Sequence, residues 1–202
     1  MSLLYTLPAI LIGLTVHEWA HAYAAYRLGD PTARNMGRMT LNPFAHVDLY
    51  GFLCLLLLGF GWAKPVTINP NNFRNPRRDD ILVSLAGPGA NLLAAFLALL
   101  IMALCFKFGY QMSTGMRTVF SLIMIYNINF AIFNMIPIPP LDGSHVLKQL
   151  LPYDMAMKLQ DLERYSIFIL IAIMMTPILG GILIPMQQLI LGFFELLLSP
   201  LF

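Results

Sequence analysis

The sequence predicts an all-α polytopic membrane protein with about four to six transmembrane helices and a re-entrant, proline-rich segment that includes a β-hairpin. Of its 202 residues, 58% are hydrophobic and only 11% are charged, which is more apolar surface than a soluble domain of this size can bury. Several apolar runs reach the roughly 20 residues that a helix needs to span a bilayer. We expect a single membrane-embedded domain over residues 1–202. The net charge of +2 argues against a nucleic-acid partner.

The predicted helices follow from the order of apolar runs and polar loops. Residues 3–27 form a first apolar helix, and the turn-rich loop 28–48 follows it. The apolar run at 49–60 has about 12 residues, which is short for a helical crossing. The runs at 80–108 and 118–136 are long enough to cross, and they predict a second and a third long helix.

Proline and glycine interrupt the remaining regions. Residues 61–78 contain three prolines and a basic cluster, which excludes a long helix there. Residues 141–164 hold most of the remaining charge. The apolar run at 165–199 is broken by Pro177, a glycine pair and Pro185. At 1.5 Å per residue it is too long for one straight crossing, so we expect either a kinked span with an interfacial helix or two crossings.

The distribution of basic residues predicts an orientation. If 49–60 is re-entrant, all of the 12 Lys and Arg residues except Lys107 and Arg117 lie on one side of the membrane. Such a bias marks the cytosolic side. A full crossing at 49–60 would weaken the bias, so we favour the re-entrant interpretation. We therefore expect a multi-pass protein of the cell membrane with its N-terminus outside.

The second half of the first helix contains "HEWAH", residues 17–21, which fits the pattern H-E-x-x-H. On a helix, His17 and His21 share one face and can bind one metal ion, and zinc suits two such nitrogens. Glu18 projects to the side of the metal, where it can take a proton from a water there. A chance match with hydrogen-bonded core histidines is the alternative. The motif uses two of the four histidines in the chain at membrane depth, where ionisable groups indicate function.

A catalytic zinc ion requires a third protein ligand. Asp142 is the best candidate, because it follows the third helix in a loop broken by prolines and lies on the same cytosolic side as the end of the first helix. Other acidic residues are less suitably placed. The alternative for Asp142 is an ordinary cap of the following helix, with Asp142 or Ser144 as the N-cap residue.

The chain resembles the site-2 protease family of intramembrane zinc metalloproteases, and most of all its compact members without a PDZ domain. The similar motifs are, in order, "HEWAHAYAAYRLGDPTARNMGRMTLNPFAHVD", "GWAKPVTINPNNFRNPRR", "LAGPGANLLAA" and "NMIPIPPLDG". The resemblance implies that His17, His21 and Asp142 bind Zn²⁺, that Glu18 is the catalytic acid and base, and that Asn91 lies close to the active site. Where many members read D-G-G-R, this chain reads "DGSH", and we interpret His145 as a surface residue rather than a spare ligand.

The same regions suggest how a substrate is held. A peptide bond in a transmembrane helix is shielded by its own turn, so a strand edge must replace the hydrogen bonds that are lost on unwinding. Val66, Thr67 and Ile68 are the best candidate edge, and family members have a β-hairpin at this place. A plain proline-rich surface loop is the alternative.

Three further polar or proline positions are candidates near the substrate. The Asn91 amide can donate a hydrogen bond to the developing oxyanion, or it can join two helices. Asn134 and Pro137 fall within the N-x-x-P…D-G pattern of the family, which makes them candidates for substrate binding.

The leading hypothesis is therefore a zinc endopeptidase that cuts peptide bonds in or near transmembrane segments, as in regulated intramembrane proteolysis, with its active site towards the cytosol. Its partners would be transmembrane protein substrates and the lipid bilayer, and a homo-oligomer stays open. A protease of prenylated proteins is an alternative hydrolase, but such enzymes typically take glutamate as the third ligand. An inactive zinc-binding scaffold or a transporter is the alternative from another class, although a scaffold does not need Glu18 and a transporter more often shows an inverted repeat.

Overall fold

The computed structural model describes residues 3–58 and 61–201, and the regular secondary structure of these residues is helical. The described α-helices are, in chain order, α1 (Leu3–Leu28), α2 (Thr32–Asn35), α3 (Leu49–Leu58), α4 (Pro76–Lys107), α5 (Thr114–Asn134), α6 (Asp142–Leu150), α7 (Tyr153–Leu162), α8 (Ser166–Met174) and α9 (Ile178–Leu198).

The three long helices predicted in the first two thirds of the chain are present as α1, α4 and α5, and their ends differ from the prediction by a few residues. α4 begins earlier, at Pro76, because proline is tolerated in the first turn, where the backbone N–H has no helical partner. α5 also begins earlier, since the Ser113 side chain caps it by accepting a hydrogen bond from the N–H of Met116.

Three of the described helices are long and apolar enough to cross a membrane, and they cover Pro76–Lys107, Thr114–Asn134 and Ile178–Leu201. They support an all-α membrane protein, while the larger number of crossings expected from the sequence stays a prediction. The interruption predicted within 165–199 is present, because α8 ends at Met174 and Pro177 is the N-cap residue of α9.

The segment that contains α3 begins and ends at the same place in the protein. α3 has 10 residues and is about 15 Å long, which is half the thickness of the hydrocarbon core. Val47 before α3 and Ala63 after it form an isolated antiparallel bridge, and the N–H of Lys64 donates to the carbonyl of His46 at 2.8 Å. Both ends of the segment therefore lie side by side. Residues 59 and 60 of the predicted run lie outside the described residues.

The β-hairpin expected around Val66, Thr67 and Ile68 is not confirmed. Residues 64–69 run without regular secondary structure, and no strand occurs in the described ranges 3–58 and 61–201. Pro65 and Pro70 bracket this short stretch and limit the backbone N–H groups that a ladder could use.

The protein core forms where α1, α4 and α5 pack together, and α9 closes one side of it. Ala9 of α1 and Ala98 of α4 lie in one buried cluster with residues of α5. Ala95, Ile128 and Phe194 bring α4, α5 and α9 together in a second cluster. Small residues at these contacts let the helix backbones approach closely, as is usual in membranes. The chemistry described next lies at the C-terminal end of α1, on its contact with α4.

Candidate metal centre

The two histidines of "HEWAH" lie one turn apart on α1 and face α4. The Nδ1–H of His17 donates to the side-chain oxygen of Asn91 at 2.7 Å, and the Nδ1–H of His21 donates to the backbone carbonyl of Val83 at 2.8 Å. These two acceptors fix the tautomers, so each imidazole presents the lone pair of its Nε2 atom. Both rings are buried.

The orientation of Asn91 is itself fixed by its neighbours. Its amide nitrogen donates to the carbonyl of Gly13 and to the side-chain oxygen of Asn127, each at 2.9 Å. Both N–H bonds of the amide are thus engaged, and its oxygen faces His17. In this arrangement Asn91 holds the His17 imidazole in place, and both of its side-chain N–H groups already have acceptors. Asn91 is fully buried, and its hydrogen bonds join α4 to α1 and α5. This is the helix–helix role that the sequence offered as the alternative.

The atoms left free by this network surround one point. The two Nε2 atoms of His17 and His21 are 3.0 Å apart, and each lies 3.3 Å from a different carboxylate oxygen of Asp142. Two lone pairs cannot bond each other, so a cation between them is the natural partner. Ligands at 2.0–2.1 Å from a tetrahedral zinc ion lie about 3.3 Å from one another. The Oδ2 atom of Asp142 is also buried without a hydrogen-bond partner, as expected for a ligand atom.

Asp142 reaches this point because α6 starts against the end of α5. It is the first residue of α6, and the N-cap residue is Leu141, which makes no side-chain cap. A side chain at Gly143 would clash with the backbone of Met135 and Ile136, so glycine permits this close approach. The Ser144 hydroxyl donates to the Leu141 carbonyl at 2.7 Å. Asp142 is therefore not the cap of α6.

The charge state of Asp142 suits a metal ligand. Burial raises the pKa of its carboxyl, but the attraction of the His17 and His21 imidazoles in their protonated form outweighs burial. The pKa of Asp142 therefore lies well below the usual range, and Asp142 is an anion at neutral pH. With both imidazoles neutral, this carboxylate completes a donor set that zinc prefers.

Gly87 provides the space that the imidazoles occupy. A Cβ atom at this position would lie 2.4 Å from Nε2 of His21 and 2.6 Å from Cε1 of His17. Val83, Gly87 and Asn91 follow one another at intervals of four residues and so lie on one face of α4. Val83 and Asn91 each accept a hydrogen bond from one imidazole. Gly87, between them, leaves the space that the imidazoles occupy.

Glu18 is joined to the segment that the sequence proposes as a substrate edge. Its Oε2 atom accepts a hydrogen bond from the backbone N–H of Val66 at 2.8 Å. Glu18 is 8% exposed, so this contact holds a nearly buried carboxylate beside the two ligand histidines. The candidate edge and the candidate acid/base residue are therefore linked by one hydrogen bond.

Two buried charged residues hold the 64–69 segment in place. The Arg38 guanidinium donates to the carbonyls of Lys64 and Pro65. Asp30, which is fully buried, accepts the N–H of Asn69 at 2.7 Å and also binds Thr32 and Asn72.

Asp30 stays charged in this position. Burial raises the pKa of its carboxyl, but the hydrogen bonds from Thr32, Asn69 and Asn72 outweigh burial and hold the pKa below its ordinary value. Sequence reasoning missed the roles of Asp30 and Arg38, because their partners lie more than 25 positions away. The only signal in the sequence was the two-residue spacing of Asp30 and Thr32, which is typical of a local side-chain turn.

The remaining candidates form no hydrogen bond with the paired imidazoles among the described residues. The Asn134 amide donates to the Phe130 carbonyl of its own helix at 3.0 Å, and Pro137 is exposed. Ile68 packs against the buried cluster of Ala25, Phe73 and Val83, and Thr67 is exposed.

His145 faces α4 rather than the metal position. Its Nδ1 atom lies 3.9 Å from Oδ2 of Asp80, and this ion pair raises the pKa of His145. Gln149 donates to the same Asp80 oxygen at 2.8 Å. The side chain of His145 is half exposed, which agrees with the interpretation as a surface residue.

Two imidazoles, a carboxylate and an adjacent glutamate define a zinc-dependent hydrolase. Residues 5–110 and 105–177 match Peptidase family M50, and the chain belongs to this family. The resemblance to site-2 proteases is thereby confirmed, and the chain is a zinc metalloprotease with Zn²⁺ as its cofactor.

Similar proteins occur in several bacteria. The chain is 37% identical to "Putative zinc metalloprotease YwhC" of Bacillus subtilis (strain 168), over 98% of this chain and 94% of that protein. It is 29% identical to Rip2 of Mycolicibacterium smegmatis, a protein with the same description, over 84% of this chain and 66% of Rip2. Rip2 of Mycobacterium tuberculosis is 28% identical over similar shares. No solved structure is significantly similar to the chain. These relatives favour an enzyme over the scaffold and transporter alternatives.

Proposed function

We propose that this metalloprotease hydrolyses peptide bonds in or near transmembrane segments of other membrane proteins and acts in regulated intramembrane proteolysis. The observation that carries the proposal is the convergence of His17, His21 and Asp142 beside Glu18, which is itself bonded to the backbone of Val66. To test it, the protein in lipid nanodiscs is mixed with single-span membrane peptides, and the products are identified by mass spectrometry. Cuts confined to water-soluble peptides would contradict the proposal.

Each of these residues has a separate role in the proposed hydrolysis. His17, His21 and Asp142 hold zinc, which when bound polarises the scissile carbonyl and acidifies the attacking water. Glu18 accepts a proton from that water as the water oxygen bonds to the carbonyl carbon. The same carboxyl then gives the proton to the amide nitrogen as the C–N bond breaks. One water is consumed, and one carboxyl and one amino terminus are released.

Asn91 acts as a positioning residue in this scheme. Its oxygen fixes the tautomer of His17, and its own two donors are taken by Gly13 and Asn127. We therefore assign it an indirect role instead of the direct oxyanion contact suggested by the sequence. Substrate contacts are assigned to the exposed or half-buried backbone around Val66, Thr67 and Ile68 and to the Asn134–Pro137 turn.

The orientation expected from the basic residues remains part of the proposal. The adjacent ends of the α3 segment, joined at Val47 and Ala63, support a re-entrant segment. With it, the metal centre faces the cytosol of a cell-membrane protein. Reaction of a cysteine at position 74 with an impermeant reagent from outside intact cells would refute this orientation. A complex with a second copy of the chain stays open.

Replacing Asp142 with alanine should remove zinc from the protein. The two imidazoles alone leave the metal with too few protein ligands, since catalytic zinc ions have three. We expect about one zinc per wild-type chain, measured by mass spectrometry of the metal, and a small fraction of that in Asp142→Ala. Asp154→Ala, which alters an exposed aspartate of α7, serves as the control and should keep its zinc. Full zinc occupancy in Asp142→Ala would remove this residue from the ligand set.

Replacing Val66 with proline should impair cleavage while zinc stays bound. The change removes the N–H that donates a hydrogen bond to Glu18, so the carboxylate is no longer held in position, and a misplacement of about 1 Å can lower the rate about 10²-fold. Val66→Ala keeps the N–H and is the matched control. Peptide cleavage and zinc content are measured for both variants. Equal cleavage rates in the two variants would show that this contact has no part in the reaction.

A further inference from the structure

A largely apolar cavity of about 410 Å³ lies between α1, α3, α5 and α9. Leu11 and Leu14 from α1, Phe52 from α3, Phe130 from α5 and Leu183 from α9 contribute to its wall. Trp62, which follows the α3 segment, also lines it. Its volume falls within the range of roughly 300–1,000 Å³ that is usual for ligand pockets.

One polar group of the cavity wall, on Asn129, has no hydrogen-bond partner among the described residues. The side-chain oxygen of Asn129 is buried, and it accepts no hydrogen bond from the described part of the chain. Burying an acceptor without a donor costs about 1–3 kcal/mol, and the cost is higher in apolar surroundings. An occupant that brings an N–H or O–H donor together with apolar groups would remove this cost. Asn91 and Asn127, the other buried amides of this region, each form hydrogen bonds through both the side-chain oxygen and the nitrogen.

The cavity adjoins the proposed reaction centre along two of its walls. Leu11, Leu14 and Glu18 follow one another at intervals of three and four residues, so they lie along one face of α1. Trp62 is four residues before Val66, whose N–H binds the Glu18 carboxylate. Both the helix that carries Glu18 and the segment that carries Val66 therefore lead to residues that line this cavity.

We infer that the cavity receives the apolar side chains of the substrate next to the scissile bond, and that the Asn129 oxygen accepts a hydrogen bond from a backbone N–H of the same stretch. This inference rests on the proposed function, since it takes the substrate to be an unwound transmembrane segment. Unwinding frees backbone N–H groups that have no water to bind in the membrane. Asn129 supplies an acceptor for one of them. The cavity thus selects for large apolar side chains beside the cut.

Cross-linking tests the occupant without relying on catalysis. A photo-reactive amino acid is placed at Leu11, or at its neighbour Ile12, which is 39% exposed and does not line the cavity. Both are made in the Glu18→Gln background, in phosphatidylcholine nanodiscs that contain a synthetic peptide with about 20 apolar residues. We expect the yield of peptide adducts at position 11 to be at least five times the yield at position 12. Excess unlabelled peptide should abolish the adducts at position 11. Adducts with lipid alone at position 11 would overturn the inference in favour of an acyl chain.

Kinetics then tests the selectivity with two variants of the cavity wall. Leu11→Trp fills the cavity, and Ile12→Trp is the matched control. We expect Leu11→Trp to lower kcat/KM at least 10-fold for peptides with Phe beside the cut, with little change for Ala. Asn129→Leu should lower kcat/KM several-fold for both peptides, since it removes a backbone contact. An unchanged Phe-to-Ala ratio in Leu11→Trp would refute the pocket. If the wild type cuts no membrane peptide, the proposed function fails, and the adducts at position 11 still decide what fills the cavity.

Discussion

Glu18→Gln is expected to keep its zinc and its fold and to lose nearly all peptide hydrolysis. Glutamine preserves the shape of the side chain and can still accept the N–H of Val66, but it cannot take a proton from water. The loss of a general base lowers rates about 10²–10⁴-fold. A larger loss is expected here, because the same carboxyl also returns the proton to the leaving nitrogen. Cleavage of a single-span peptide and metal content are measured side by side.

The control for this change is Glu163→Gln, which alters a half-exposed glutamate paired with Lys148. It removes one negative charge in the same way and should cleave at the rate of the wild type. Cleavage by Glu18→Gln at a similar rate would disprove the acid/base role of Glu18. Loss of zinc from Glu18→Gln would instead make Glu18 a ligand and contradict the geometry of α1.

Gly87→Ala is expected to abolish zinc binding and, with it, activity. The added Cβ would lie 2.4 Å from the ligand atom of His21, far inside contact distance. The imidazole cannot swing away freely, because Val83 accepts the hydrogen bond of its Nδ1–H. Even the loss of a group that only supports a ligand costs 10-fold to 100-fold in metal affinity, and a direct clash should cost at least as much.

Gly89→Ala gives the matched control on the same helix, since a Cβ there would meet no atom within 4 Å. Alanine favours a helix over glycine by about 1 kcal/mol, so Gly89→Ala should be at least as stable as the wild type. Zinc affinity is measured by competition with a chelator in both variants. Equal affinities would show that α4 can yield to the added methyl group and that the gap is not required.

The local part of the metal centre was predictable from the sequence. His17 and His21 are four residues apart, and helical geometry alone then places both rings on one face. The approach of Asp142 was harder to predict, because its capping alternative was equally local. Family resemblance decided in its favour, and the close contact of Gly143 with Met135 supplies the physical reason.

The parts that depend on distant partners could not be predicted from patterns. Asn91 carries the same amide as Asn134, yet only Asn91 meets a ligand imidazole, while Asn134 bonds its own helix. The prolines and β-branched residues around Val66 excluded a helix there, as observed, but they did not predict that no strand would pair with this segment among the described residues. The N–H of Val66 donates a hydrogen bond to Glu18 because tertiary packing brings positions 18 and 66 together.

The contacts from α4 to the two imidazoles also bear on how the protein assembles. Apolar surface gains little from helix association within lipid, so polar contacts and close packing must select the correct neighbours. Here the bonds to Val83 and Asn91 form best when both Nε2 atoms are satisfied by a metal. Metal binding and the pairing of α1 with α4 are then thermodynamically linked, and each strengthens the other. Zinc supply would therefore control how much of the newly inserted chain reaches its folded form, as well as how much of it is active.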